Sequence, residues 1–172
     1  LPPMAAGIYP VTGSGFPGRP LEQVAETCVA AGVAGIEGAP PLVEKLDEAG
    51  VEQGGAAFRA RGLSIPSFHL PFEAKHDVAS FYKTLRRKAV EDLKPWISRA
   101  AALGAGVVIL HPSTSGCNAE VEGVDVFLSA LEDSLRTLLP FAAEHRVIIA
   151  LANMLPGMAG PRLCSRPDPI ER

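Results

Sequence analysis

Four residues in this sequence have types and positions suited to chemistry on a small polar ligand: Glu37, His69, His111 and Asn153. His111 closes the run Val107-Val108-Ile109-Leu110-His111-Pro112, and His69 closes a similar one, Ser67-Phe68-His69-Leu70-Pro71. Apolar runs this short, bounded by Gly or Pro, read as strands buried on both faces. Pro112 has no amide hydrogen, so the strand stops there and leaves His111 at its carboxyl end. In parallel α/β folds that end is where ligands bind. Imidazole can ligate a metal or carry a proton. A carboxylate such as Glu37 can accept a proton or hold a ligand hydroxyl, and the Asn153 amide can hydrogen-bond one. Each residue also has a plainer reading. A histidine can be a hydrogen-bonded pocket residue, Glu37 can face solvent, and Asn153 can cap a turn. Two histidines on neighbouring strands outweigh one, yet they fall short of the three or four ligands that zinc takes.

The elements that must position these residues follow from periodicity and punctuation. Residues 4–9 read as a first strand, followed by a Gly- and Pro-rich loop to Arg19. Pro20 opens a helix in which Leu21, Val24, Ala25, Cys28 and Val29 recur at helical spacing, and Gly32 ends it as a left-handed cap. A second strand spans 33–37. Helices over 42–49 and 51–61 lead to a third strand, 63–70, which Pro66 weakens. A long helix over 80–103 carries the apolar stripe Phe81, Leu85, Ala89, Leu93, Trp96, Ile97 and Ala100. The fourth strand, from Val107 to His111, precedes a polar loop over 113–123. A helix over Val124–Glu144 and a fifth strand over 147–151 follow. This alternation predicts a parallel sheet covered by helices. An open doubly wound sheet and a (β/α)8 barrel cut short both satisfy it.

Composition narrows the function. The chain has 172 residues, 47% of them hydrophobic, and a net charge of −3. That is enough for one domain with its own core, with no sign of disorder. The basic residues are scattered, and Arg86-Arg87-Lys88 reads as a solvated helix face, so nucleic acid is not the expected partner. No apolar run reaches the roughly 20 residues of a membrane helix. No charged segment precedes an apolar core at the N-terminus, so no signal peptide is read. Cys28, Cys117 and Cys164 lie far apart, as reduced thiols of a cytoplasmic protein do. His76 and His145 read as surface residues, and Trp96 as core.

One motif invites a different function. Gly13-Ser14-Gly15-Phe16-Pro17-Gly18 matches G-x-G-x-x-G, and Glu37 ends the following strand as the acidic residue of a dinucleotide fold would. In that fold the helix begins within the glycines, so that its amides meet the pyrophosphate. Pro17 and Pro20 remove amides here and delay the helix. The stretch reads as a loop rather than a nucleotide site.

The order of several motifs resembles the sugar phosphate isomerase/epimerase family of xylose isomerase-like (β/α)8 barrels. They are Gly35-Ile36-Glu37, Ser67-Phe68-His69-Leu70-Pro71-Phe72, Arg86 to Leu93, Ala100 to Ala105, Val108-Ile109-Leu110-His111-Pro112, and Ile148 to Asn153. The resemblance implies a TIM barrel, truncated after the fifth strand because a complete one takes roughly 250 residues. It implies isomerisation or epimerisation of a sugar or sugar acid by proton transfer through an enediolate, aided by a divalent metal (Mn, Mg or Zn). Glu37 then faces the pocket as a catalytic group. His69, His111 and Asn153 contact substrate, and the two histidines match metal ligands of the family's endonuclease-like branch. One departure matters: where the family's fifth strand ends Glu-Asn, with that Glu a metal ligand, this chain has Ala152-Asn153. A chain so altered should bind metal poorly and turn over little. Two alternatives remain: a phosphodiester hydrolase using His69 and His111, and a non-catalytic truncated barrel whose exposed sheet edges favour association with another chain or a second copy.

Overall fold

Leu21, Val24, Ala25 and Cys28 form the buried stripe of helix α1 (Leu21–Ala31), which ends at Gly32 with φ +67°. The computed structural model describes residues 16, 18–113, 118–156 and 160–165. The expected first strand, Cys117 and most of the glycine motif lie outside these residues. Helix α1 begins after Pro20, beyond the last glycine of that motif.

The helical pattern at 42–49 divides differently from its periodicity. Pro40 and Pro41 open a single turn, α2 (Pro40–Val43). Helix α3 (Glu48–Ala60) then starts afresh because Asp47 Oδ1 accepts the Gly50 amide at 2.8 Å. That N-cap outweighs the expected run of the first helix to Ala49. Two adjacent glycines fit α3 between its neighbours. A Cβ on Gly54 would strike the Leu21 side chain of α1. One on Gly55 would lie 2.7 Å from the backbone carbonyl oxygen of Leu103. Alanine improves helix propensity by about 1 kcal/mol, but backbone cannot yield as a side chain does, and overpacking costs about 1–3 kcal/mol. Gly55→Ala should therefore lower the thermal midpoint despite its better propensity.

Three parallel strands follow in spatial order: β1 (Ser67–His69), β2 (Val107–Leu110) and β3 (Ile148–Leu151). The expected strands over 33–37 and 63–70 form less ladder than their composition promised. The first joins the second through two isolated parallel bridges, Gly35 to Ser64 and Gly38 to Phe68. The interval 35–38 is one residue shorter than 64–68, so the register slips between the bridges. Pro66 lies in the longer interval and cannot donate. Its carbonyl instead accepts the amides of Gly106 and Val107 at 3.2 and 3.3 Å.

Between β1 and β2 runs helix α4 (Lys83–Leu103), capped by Gly104 at φ +99°. It starts three residues later than the stripe suggests, where the Ser80 hydroxyl accepts the Tyr82 amide at 3.3 Å. Phe81, before the helix, and Leu85, in its first turn, are 43% and 58% exposed, and Val90 is buried instead. The polar loop after β2 contains one helical turn, α5 (Ala119–Glu122), capped by Asn118. Helix α6 (Val124–Glu144) has its expected limits. Arg86 is less solvated than its basic neighbours suggest, with its side chain 11% exposed and tied to Asp133 of α6 at 2.9 Å.

Alternation along the strands sets the two faces. Phe68, Val108 and Leu110 are buried in one continuous core with the helices. Ser67, His69, Ile109 and His111 alternate with them and are half-buried on the other face. Among the described residues, no helix is long and apolar enough to cross a membrane.

Candidate functional site

Ser67 and His69 share a strand face because they are two residues apart. Glu37 joins them because Gly38 is the residue bridged to Phe68, which turns its neighbour Glu37 toward the opposite face. The Ser67 hydroxyl donates to Glu37 Oε2 at 2.8 Å, and His69 Nδ1 lies 2.8 Å from Oε1. The Glu37 side chain is 13% exposed and that of His69 31%. On the next strand His111 reaches back, its Nε2 3.0 Å from His69 Nε2. The Phe72 ring covers His111 at a centroid distance of 4.0 Å, and Met154 Sδ lies 3.2 Å from His111 Nδ1.

The acceptors dictate where the protons sit. Carboxylate oxygens only accept, so His69 Nδ1 carries a hydrogen and donates it to Glu37. One further proton then lies between the two Nε2 atoms. On His69 it makes an imidazolium facing a neutral His111. Met154 Sδ also only accepts, so His111 Nδ1 carries a hydrogen, and the same proton on His111 Nε2 would make that ring the imidazolium instead. Burial lowers the His111 pKa, and the charge of His69 lowers it further. The arrangement is a relay: a carboxylate orients one imidazole, which shares its second proton with another.

Of the residues singled out from sequence, Glu37, His69 and His111 come together. Asn153 is exposed, and its neighbour Met154 takes the buried place beside His111. Ser67, Phe72 and Met154 escaped the sequence reading. Only Ser67 had an available signal, its spacing of two from His69. His145 is half-buried rather than a surface residue, and His76 is 5% exposed because the short 3-10 turn Ala74–His76 packs against α4.

Burial of His76 has a measurable consequence. Its pKa is lowered, first by desolvation and then by Lys75 and Lys88, against the opposing pull of Glu73 and Asp92. Its ordinary value is 6.5. Below that pH the unfolded chain takes up a proton that the folded chain refuses, so stability falls with falling pH until the folded pKa is passed. One such group contributes a slope of up to about 1.4 kcal/mol per pH unit. Urea titrations between pH 7.5 and 5 should show a shallower decline for His76→Leu than for the parent chain.

The donor set does not fit a resident divalent metal. His69 and His111 offer two ring nitrogens, already hydrogen-bonded to each other. Among the described residues no group of three His, Cys, Asp or Glu could hold an ion. Ala152 is half-buried beyond the end of β3, where the resemblance expected a carboxylate ligand.

A parallel sheet under helices, with polar residues converging at the carboxyl ends of adjacent strands, is the arrangement of barrel enzymes. The sequence matches the family profile "xylose isomerase-like TIM barrel" over residues 25–164. The chain belongs to that family. No curated protein matches the sequence. Among solved structures it is similar to D-psicose 3-epimerase from Clostridium cellulolyticum H10, with a TM-score of 0.71 at 12% identity over 86% of this chain and 53% of that one. The 3-keto-D-glucoside 4-epimerase of E. coli gives 0.67 at 16% identity, over 85% and 55% of the two chains. An L-ribulose 3-epimerase gives 0.69 at 17%, over 92% and 52%. Identities this low speak for the fold alone. The chain spans about half the length of these structures.

Proposed function

We propose that this chain carries the sugar-handling face of an epimerase or isomerase, with Glu37, His69 and His111 as its proton-handling residues. The observation that supports this reading is the continuous hydrogen-bonded line from Glu37 through His69 to His111 at the strand ends. A small ketose is the substrate class, in keeping with the sugar epimerases among the similar structures. In this reading a ligand hydroxyl replaces the contact between the two Nε2 atoms. His69, oriented by Glu37, takes the proton from the hydroxyl-bearing carbon beside the carbonyl to leave an enediolate and returns it to the former carbonyl carbon, as the hydroxyl proton passes to the other oxygen and a new carbonyl forms. His111, kept neutral by burial, accepts a hydrogen bond from the sugar, and Phe72 covers the ring. Among the described residues this face offers too few ligands for a metal, so the step is carried by side chains alone and turnover is slow. The buried free thiols Cys28 and Cys164 fit a cytoplasmic setting.

Solvent exchange tests the proton step without requiring full turnover. D-fructose, D-psicose and D-tagatose are incubated with the purified chain in D2O and followed by NMR. Slow deuterium incorporation beside the carbonyl is expected, falling by about 100-fold or more in His69→Gln. Exchange no faster in the parent than in His69→Gln would overturn the proposal.

A further inference from the structure

Ser98 of α4 and His145 at the end of α6 form a pair that the candidate site does not use. His145 Nδ1 lies 2.9 Å from the Phe141 carbonyl oxygen. A carbonyl only accepts, so Nδ1 carries the ring hydrogen and Nε2 of the neutral ring is bare. Ser98 Oγ lies 3.0 Å from that Nε2 and must donate to it. Its competing acceptor, the Lys94 carbonyl, is farther away at 3.4 Å. The Phe141 ring packs against the imidazole at a centroid distance of 4.4 Å, tilted by 33°. Carbonyl, imidazole and hydroxyl thus stand in the order in which an oriented base activates a serine.

Ser98 also lines a cavity of about 310 Å³ with Glu48, Val51, Pro95, Arg99 and Ala102. The Arg99 guanidinium is anchored by the neutral Val43 carbonyl at 2.7 Å and lies over the Trp96 ring at 5.7 Å. Its positive charge can face an oxyanion formed in the cavity. Glu48, on the same wall, disfavours ligands that are already anionic. The geometry points to Ser98 as a nucleophile, activated by His145, that hydrolyses small neutral carboxylic esters in this cavity. Ser98 Oγ bonds to the ester carbonyl carbon as its proton passes to His145 Nε2. The carbon–alkoxy bond breaks, and the leaving alkoxide takes that proton and departs as the alcohol. Water then attacks the acyl-serine, gives a proton to Nε2, and releases the acid as Ser98 regains its hydrogen.

The test is covalent labelling of the purified full chain with a fluorophosphonate, from which Ser98 would displace fluoride, read by peptide mass spectrometry. One adduct on Ser98 is expected. Its rate should fall by about 100-fold in His145→Gln. No adduct on Ser98 overturns the inference. So does labelling of His145→Gln at the parent rate. If that variant does not fold, labelling of Ser98 in the parent no faster than that of the chain's other serines overturns it instead.

Discussion

Phe68→Ala should cost about 3–5 kcal/mol of stability, the usual loss for a fully buried aromatic residue. Whole domains hold only about 5–15 kcal/mol, so the variant should be near unfolding at ambient temperature. Phe68 is the middle residue of β1, is 0% exposed, and pairs with Val108 of β2. Its ring stacks against Trp96 at 6.3 Å on one side. On another it meets backbone, since a Cβ on Gly38 would lie 2.6 Å from a ring carbon. Backbone of this kind cannot close over the vacated space, and the residual cavity adds to the lost transfer energy. Phe72→Ala is the contrast. That ring is 43% exposed, and its loss should cost under about 1 kcal/mol while uncovering His111. Urea midpoints of the two variants measure the difference. A Phe68→Ala midpoint close to that of Phe72→Ala would mean that the strand's core contact is dispensable.

The elements that sequence displayed best are those fixed by local rules. Helix α6 has its expected limits, and strand β2 stops one residue short of His111, because a long 3.6-residue stripe and a β-branched run leave little choice. Gly32 and Gly104 end helices because each takes a positive φ that a side chain would resist. The errors are tertiary. A charged run around His76 looked solvated, but packing of its turn on α4 buries it. Asp47 starts the second helix at Glu48, inside the stretch that apolar spacing gave to the first. Within the site, His69 and His111 were legible as strand-end residues. The bonds of His69 to Glu37 and His111 were not, because they join residues 32 and 42 positions apart and depend on register. Met154 rather than Asn153 meets His111 for the same reason: the chain beyond a strand no longer alternates predictably.

Ala152→Glu should make the chain's stability depend on a divalent metal. Val107 pairs with Ile148 and Ile109 with Ala150, and the Ala152 amide donates to the Leu110 carbonyl at 3.0 Å. Continuing that register sets position 152 beside His111, on the face that also carries His69. A carboxylate there would join two imidazole nitrogens to make three protein ligands, the number that catalytic zinc sites use. The ion would displace the hydrogen bond between the two Nε2 atoms, worth about 1 kcal/mol. At 100 times the dissociation constant, binding stabilises by about 2.7 kcal/mol, which for a chain of this length raises the thermal midpoint by about 5–10 °C. The parent should shift by less than about 1 °C with Mn²⁺ or Zn²⁺, because two nitrogens alone bind weakly. In EDTA the variant should be less stable than the parent, since its half-buried carboxylate then lacks a cation. Ala152→Gln, similar in size but uncharged, separates ligation from packing. A metal-dependent shift in the parent itself would show that the two histidines already hold an ion, and that the relay between them is the metal-free form of a binding site.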